Sequence, residues 1–348
     1  MLLKIDAAGT GQGCKATSHQ VHGSKTLDSL RMYAVANTTH WAVQRQFTPS
    51  TNWLWRKMQQ DFEQSYERQR THGREMGLPS CYSAPNSVDN WRHERMRAHL
   101  LPLLQSCPKS TWLTVGDGAY RSDAHYLRRQ HAQVTASSLV TDRLHEAQRR
   151  GYIGDYLRIN AERIELPDRS FDFVLCKEAY HHFPRPPIAM YEMLRVARKA
   201  VVVIEPQEQR RWLDGLRWFV KRALRGDNTS DYEPAGNYIY RISVREVEKL
   251  MLALGAQTLA FRRFNDFYVE RLAEADRIRA PWAIAATRSG LAVQDLLCRL
   301  SAMGWGLCCC VLFKDDCEPA VASALQHAGF TVLNLPRNPF AVDPAAAA

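Results

Sequence analysis

The stretch Thr111–Leu127, TWLTVGDGAYRSDAHYL, decides the fold of this chain. An apolar run of β type ends in Gly116-Asp117-Gly118, and a helix-like segment follows. A strand, a glycine turn and a helix in this order begin a nucleotide-binding βαβ unit. The glycines let the backbone approach a ligand, and the helix N-terminus supplies unpaired N–H groups. The pattern alone is weak evidence, because many βα loops contain two such glycines.

The segments that follow make the pattern more specific. Ala132–Leu139 is a second β-type run, and it ends about 20 residues after the turn, where such folds contact a ribose. Phe171–Cys176 and Lys199–Pro206 have the near-continuous apolar pattern of buried parallel strands. Further β-like runs are Thr258–Phe261, Leu307–Phe313 and Thr331–Leu335.

Two longer motifs carry a family resemblance. They are RINAERIELPDRSFDFVLCKEAYHHF, at Arg158–Phe183, and YEMLRVARKAVVVIEP, which ends at Pro206. With the glycine turn, their order and spacing resemble the class I S-adenosylmethionine-dependent methyltransferases, in particular bacterial enzymes that act on small molecules or sugars. The resemblance covers about Leu100 to Gly255. It implies an α/β fold: a Rossmann-like, seven-stranded, mostly parallel sheet with helices on both faces, completed by two late antiparallel strands.

The chain divides into three predicted parts. Residues 1–25 are polar without periodicity and are predicted to be disordered. Residues 26–105 form a helical segment, which the resemblance implies is a lid that shapes the substrate pocket; a plain helical layer that buries its aromatic residues is the alternative. Residues 106–348 form the methyltransferase domain, with an insertion at 207–240 near the active site. The insertion contains a basic amphipathic helix, Trp212–Arg225, which either packs on its own domain or lies on an anionic membrane surface.

Capping patterns place three further helices. Ser87 can cap a helix over Ser87–Leu104, which Pro102 is expected to kink. Ser243, followed by Glu246 at capping-box spacing, begins another. Pro319 stands at the favourable first position of a helix near the end of the chain.

The resemblance implies cofactor-binding residues in the glycine turn. Gly116 and Gly118 match positions where the backbone approaches the methionyl part of the cofactor. Asp117, between them, is a candidate partner for the cofactor's ammonium group, or else a cap of the following helix. The turn departs from the family pattern at two positions, Thr114 and Tyr120, where the family keeps an acid and a third glycine.

Later strand ends supply the other predicted cofactor contacts. Ser138 stands where the family offers an acid to both ribose hydroxyls. A serine can form a hydrogen bond with one ribose hydroxyl, but it cannot accept from both as a carboxylate does. Asn160, Ala161 and Glu162 correspond to the acidic step beside the adenine. Lys177 and Glu178 follow the fourth strand of the family pattern, and Glu178 resembles the residue beneath the sulfonium-bearing chain.

Catalytic candidates follow at the same place. His181 or His182 is a candidate base for a substrate hydroxyl, because imidazole titrates near neutral pH; one of the pair can equally be structural. Together with Glu178 they form the predicted catalytic set. The predicted substrate wall consists of Tyr180, Tyr238, Tyr240 and Arg241. No third ligand accompanies the histidine pair, so no metal site is predicted.

Composition narrows the partners and the compartment. The chain has 348 residues, 45% of them hydrophobic and 24% charged, as in ordinary globular proteins. Its net charge of +10 favours polyanions, yet the sequence contains no zinc-finger or RNA-binding aromatic pattern, so nucleic acid is the less favoured partner. Cys308–Cys310 lie in an apolar run and are predicted to be buried small hydrophobes. We expect a cytoplasmic protein without a signal peptide or transmembrane segment.

Three functions are compatible with these observations. The leading one is methyl transfer from S-adenosylmethionine, with S-adenosylhomocysteine as product, to an oxygen or nitrogen of a small-molecule or sugar-derived acceptor. The second is methylation of nucleic acid or protein, suggested by the basic charge, although no Asp/Asn-Pro-Pro-Tyr motif is present. The third is a non-catalytic binding protein, suggested by Thr114, Tyr120 and Ser138. The sequence leaves a homodimer open.

Overall fold

The computed structural model describes residues 62–71, 74, 84–117, 122–208, 232 and 238–340. Three predictions fall outside these residues: the disorder of residues 1–25, the helix Trp212–Arg225 and the cofactor-binding role of Gly118. The predicted domain boundaries and the role of residues 207–240 therefore stay predictions.

The described elements alternate between strands and helices along most of the chain. The helices are α1 (62–71), α2 (Val88–Arg97), α3 (Leu101–Ser106), α4 (Ser122–Arg129), α5 (Asp142–Arg149), α6 (Pro186–Val196), α7 (Val244–Leu254), α8 (Glu270–Ala273), α9 (Pro281–Arg299) and α10 (Pro319–His327). The strands are β1 (Thr111–Val115), β2 (Gln133–Ser138), β3 (Tyr156–Arg158), β4 (Phe171–Lys177), β5 (Ala197–Pro206), β6 (Thr258–Phe264), β7 (Leu307–Phe313) and β8 (Thr331–Asn334). Short 3₁₀ helices occur at Ala98–Leu100 and Tyr180–His182.

These strands form one sheet in the order β3-β2-β1-β4-β5-β7-β6-β8. β1 to β5 are parallel, whereas β7 runs antiparallel to both of its neighbours and β8 runs antiparallel to β6. The predicted Rossmann-like, mostly parallel fold is confirmed. The sheet has one strand more than the seven expected, because the predicted β-type runs omit β3. Three residues that include an exposed arginine are too short to show a strand periodicity.

Alternation along the strands builds a core on each face of the sheet. Leu113, Val174 and Val201 pack with α6 and α7 on one face. Their neighbours Trp112 and Phe173 pack on the other face, with α2 to α4 and α10; the two rings are stacked with centroids 4.5 Å apart. Burial of a side chain of this size contributes roughly 1.5–3 kcal/mol, so both faces stabilise the central strands.

The predicted caps are confirmed. The Ser87 hydroxyl accepts from the Asn90 amide at the start of α2, and the helix changes to 3₁₀ geometry just before Pro102. The Ser243 hydroxyl accepts from the Glu246 amide at the start of α7. Pro319 opens α10. Within the described residues, no helix combines the length and the apolar character needed to cross a membrane.

Candidate functional site

The carboxyl ends of β1 to β5 meet at one edge of the sheet, which we call the carboxyl edge. Backbone hydrogen bonds hold the loops there together: the Gly116 and Asp117 amides donate to Ser137 O at 3.1 and 3.0 Å, and the Glu178 amide donates to Ile204 O at 2.9 Å. Ligands of open α/β sheets bind outside this edge. Most of the predicted site residues lie on it.

Gly116 directly follows β1, and packing requires a glycine at this position. Its φ is +83°, and a Cβ added to it would lie 2.4 Å from Ala179 Cβ. Any side chain here would meet both backbone strain and a collision with the loop after β4. The glycine therefore lets the β1 and β4 loops approach each other, whether or not a ligand is bound.

Asp117 caps α4. Its carboxylate, 4% exposed, accepts from the Asp123 and Ala124 amides at 3.1 and 2.8 Å and from the Thr114 hydroxyl at 3.1 Å. Burial, and then the charge of Asp123, raise the pKa of Asp117 to about 7. The geometry favours the capping alternative for Asp117, and its contact with a cofactor ammonium stays a prediction.

The ends of β2 and β3 present neutral polar groups. The Ser138 hydroxyl is half-buried and accepts from the Val140 amide at 3.3 Å. Ser137 points into the protein and donates to Thr114 O at 2.6 Å. Asn160 follows β3, and its side-chain oxygen accepts from the Glu162 amide at 3.0 Å, which forms a tight turn around the buried Ala161.

Glu162 is held by an arginine rather than turned toward open space. Its carboxylate accepts from both the backbone amide and the Nε of Arg185, each at 2.6 Å, and its side chain is 1% exposed. The Tyr66 ring of α1 lies beside this pair; burial, and then Glu162, raise the pKa of Tyr66 to about 12. This arrangement fixes the turn that carries Asn160, and a direct contact of Glu162 with a cofactor stays a prediction.

Lys177 and Glu178 form an ion pair at the end of β4. Glu178 has a φ of +49°, which is unusual for a residue with a side chain and marks a constrained backbone. Burial alone would raise the pKa of Glu178, but the charge of Lys177 lowers it, and the net pKa lies well below its ordinary value. A carboxyl group that stays ionised is a poor proton acceptor, so Glu178 is suited to electrostatic stabilisation and not to general base catalysis.

His181 and Glu205 form a buried pair beneath the Tyr180–His182 turn. Glu205, which is 0% exposed, accepts from the Ala179 and Tyr180 amides at 2.8 Å each and contacts His181 Nδ1 at 2.6 Å. Because a carboxylate can only accept, Nδ1 carries the hydrogen, and Nε2 is the acceptor of the neutral ring. This is the arrangement in which an acidic residue orients a histidine base.

His182 contacts helix α1, which precedes the sheet in the chain. Its backbone oxygen accepts from the Gln69 side chain of α1, and its ring lies 4.1 Å from that of His181. On the same face of α1, Phe62 stacks under the Arg185 guanidinium at 4.9 Å. Helix α1 thus lies across the loops that follow β3 and β4, beside the predicted site.

The predicted substrate wall divides into buried and exposed residues. Tyr180 is 3% exposed and packs edge-on against Tyr240, whose hydroxyl donates to Glu246. Tyr238 is 54% exposed. Arg241 is half-buried. The structure thus pairs Tyr180 with Tyr240, but a role of these four residues toward a substrate stays a prediction.

Three site features escaped the sequence analysis. His93 of α2 contacts both Lys177 and Glu178, α1 contacts the Asn160 turn, and Glu205 is the acidic partner of His181. The position of Glu205 at the end of a strand was visible in the sequence, but its partner was not. Nothing in the sequence marks His93, because Lys177, which it contacts, is 84 residues away along the chain. Among the described residues, no three His, Cys, Asp or Glu side chains are grouped to hold a metal ion.

A family model and several solved structures resemble parts of this chain. Residues 113–204 match the family model described as a methyltransferase domain. No curated protein matches the chain. Solved structures with a similar fold include the YcgJ protein of Bacillus subtilis, with 18% identity over 65% of this chain and 100% of that one (TM-score 0.42).

Two further structures are enzymes with named substrates. One is magnesium protoporphyrin IX methyltransferase of Synechocystis, with 13% identity over 52% of this chain and 80% of that one (TM-score 0.40). The other is phosphoethanolamine N-methyltransferase 2 of Haemonchus contortus, with 14% identity over 63% of this chain and 52% of that one (TM-score 0.40). These structural similarities are weak, so the assignment rests on the family match. On that match, residues 113–204 resemble a methyltransferase domain.

Proposed function

We propose that this protein transfers a methyl group from S-adenosylmethionine to an oxygen or nitrogen of a small-molecule or sugar-derived acceptor. The observation that carries the proposal is the carboxyl edge. There the polar ends of four parallel strands lie beside the oriented pair His181–Glu205. A small-molecule acceptor agrees with the absence of zinc-finger and RNA-binding patterns from the sequence.

Residues at the carboxyl edge fit the separate parts of the cofactor S-adenosylmethionine. The φ of +83° at Gly116 turns the chain sharply after β1, so that α4 begins at the carboxyl edge. The Ser138 hydroxyl would bond one ribose hydroxyl, and the Asn160 turn would face the adenine. Glu178, which stays ionised, would lie near the cationic part of the cofactor. When bound, the cofactor supplies an electrophilic methyl group.

The protein's own residues then perform two tasks. They align the acceptor with the methyl group, which supplies most of the catalysis when the acceptor is already nucleophilic. They also remove a proton when the acceptor is a hydroxyl. His181 is suited to this step, because Glu205 holds Nδ1–H and stabilises the imidazolium that forms when Nε2 takes the proton. This pair is the reason to test hydroxyl acceptors first.

Calorimetric titration with S-adenosylhomocysteine tests the cofactor site. We expect the unaltered protein to bind it and Ser138→Trp to abolish binding, because the large ring fills the space beside the ribose. Gln133→Trp is the matched control, since Gln133 is exposed at the opposite end of the same strand. Absence of binding to the folded, unaltered protein would contradict the proposal, and so would equal binding by both variants.

The proposal includes a cytoplasmic location and leaves open whether the protein forms a homodimer. A reducing cytoplasm agrees with the cysteine usage, because the seven cysteines among the described residues are free thiols. Whether the enzyme is a homodimer is tested by sedimentation of the purified protein.

A further inference from the structure

A histidine outside the methyltransferase motifs lies at the end of β4. His93 belongs to α2, ahead of the first strand, and its Nδ1 lies 3.0 Å from Lys177 Nζ and 3.2 Å from Glu178 Oε2. Lys177 Nζ also donates to Glu178 Oε2. The three side chains therefore form a closed triangle, which we call the His93 cluster.

The three side chains of the His93 cluster differ in exposure to solvent. The Lys177 side chain is 4% exposed, His93 is 17% exposed and Glu178 is 28% exposed. A buried ammonium group needs acceptors, because transfer of an unpaired charge from water into the protein is strongly unfavourable. Lys177 finds them in the Glu178 carboxylate and the His93 ring. Glu178 is the member of the cluster that a ligand can reach most easily.

The hydrogen-bond chemistry assigns the protonation of the ring. An ammonium group only donates, so a hydrogen bond from Lys177 Nζ requires an unprotonated Nδ1 on His93, with the ring hydrogen on Nε2. Nε2 faces Asp89 Oδ1 at 3.7 Å, one helical turn earlier. Groups that face the ring include Asp89 on its own helix and Lys177 and Glu178 at the end of β4.

Helix α2 is anchored so that it holds this ring in place. Arg92, next to His93, bonds Asp89 at 2.6 Å and forms an ion pair with Asp266, which follows β6. The Ser87 cap fixes the start of the helix. Side chains held by several partners of this kind keep a functional group within the narrow range of geometry that a site needs.

We propose that His93 is a positioning residue of the methyl-transfer site, which orders Glu178 by holding Lys177. The inference rests on the function proposed above and extends it. It makes the segment before β1 part of the reaction centre and assigns to it a specific side chain. The backbone strain at Glu178 agrees with this role, because a constrained φ persists only where neighbouring groups hold it.

The experiment compares S-adenosylhomocysteine binding by calorimetry in matched variants. His93→Leu removes the acceptor and should weaken binding about tenfold, which corresponds to about 1.4 kcal/mol. His93→Asn restores an acceptor oxygen near the position of Nδ1 and should bind within about twofold of the unaltered protein. His125→Asn is the control, because His125 makes a comparable 2.9 Å bond to Tyr152 O away from the carboxyl edge.

Lys177→Met tests whether His93 acts through the lysine. In that background, His93→Leu should cause no further loss, since the group that it positions is absent. If His93→Leu alone does not fold, the S-adenosylhomocysteine affinity of His93→Asn is measured with and without Lys177→Met. A folded His93→Leu that binds like the unaltered protein would overturn the inference, as would an additive loss in the double variant. If the unaltered protein does not bind, the proposed function fails and this inference fails with it.

Discussion

The carboxyl edge and the antiparallel half of the sheet (β7, β6 and β8) bury polar groups in opposite ways. At the carboxyl edge, the buried Glu205 has two amide donors and an imidazole. In the antiparallel half, all seven residues of β7 are buried and none is charged. His99 packs there against Phe264 at 4.4 Å, and its Nε2 has no hydrogen-bond partner in the part of the chain that the structure describes.

The difference shows where the fold uses chemistry and where it uses packing. A buried carboxylate with three hydrogen-bond contacts stabilises a particular loop arrangement, which a binding site requires. An apolar strand stabilises the sheet without specifying a ligand. Substitutions in the two regions should therefore separate function from stability, and four predictions test this separation.

The largest effect is expected at Gly116. Gly116→Ala introduces left-handed strain and a Cβ 2.4 Å from Ala179, so we expect a loss of roughly 3 kcal/mol or more in the free energy of unfolding. The measurement is denaturant unfolding. Gly255→Ala is the control: Gly255 has a similar φ of +72° but no atom within 4 Å of an added Cβ, so the loss should be about 1 kcal/mol. Equal losses would contradict the close approach of the two loops.

The next effect concerns Glu205. Glu205→Gln keeps the shape but loses the charge that holds two amides and His181, so we expect about 2 kcal/mol of destabilisation. Methyl transfer to a hydroxyl acceptor should fall more than the binding of S-adenosylhomocysteine does, because His181 loses its orienting partner. Parallel measurements of unfolding, binding and turnover check this. An unchanged turnover would leave Glu205 with a structural role only.

A pH effect is expected from His99 in the other region. Burial, and then the charges of Arg262 and Arg95, lower the pKa of His99 to about 3. The unfolded chain, with a pKa near 6.5, binds the proton first, so the stabilisation is present above that pH and is lost as the pH falls toward 3. The slope attributable to His99 is at most about 1.4 kcal/mol per pH unit.

His99→Phe should remove this part of the acid sensitivity, because phenylalanine binds no proton and fits among Phe264 and Phe330. Unfolding free energies between pH 4 and 7 measure it. S-adenosylhomocysteine binding at neutral pH should stay unchanged. An identical pH dependence in the variant would refute the assignment to His99.

The smallest effect is expected within β7. Cys309→Ala removes one buried sulfur and should cost about 1 kcal/mol without a change in cofactor binding. Burial raises the pKa of the Cys309 thiol well above its ordinary value, so it should resist alkylation in the folded protein. Thiol labelling before and after unfolding checks this, with the half-buried Cys317 as an internal comparison.

Local patterns in the sequence determined most of the fold. The apolar runs predicted seven of the strands, and Ser87, Ser243 and Pro319 predicted helix starts, because strand burial and capping depend on residues close together in the chain. The glycine turn and the motifs after β3 and β4 likewise resemble those of methyltransferases, and residues 113–204 match a methyltransferase-domain model. The three-residue β3 was missed because its pairing with β2, and not its own pattern, makes it a strand.

Only the tertiary structure decided which polar residues act together. Glu205 meets His181, Glu162 meets Arg185, and His93 meets Lys177 across separations of 24, 23 and 84 residues. Such pairs form when parallel strands bring their carboxyl ends to one edge and a preceding helix packs against that edge. No local periodicity encodes this convergence, so the sequence named candidates while the fold determined their partners.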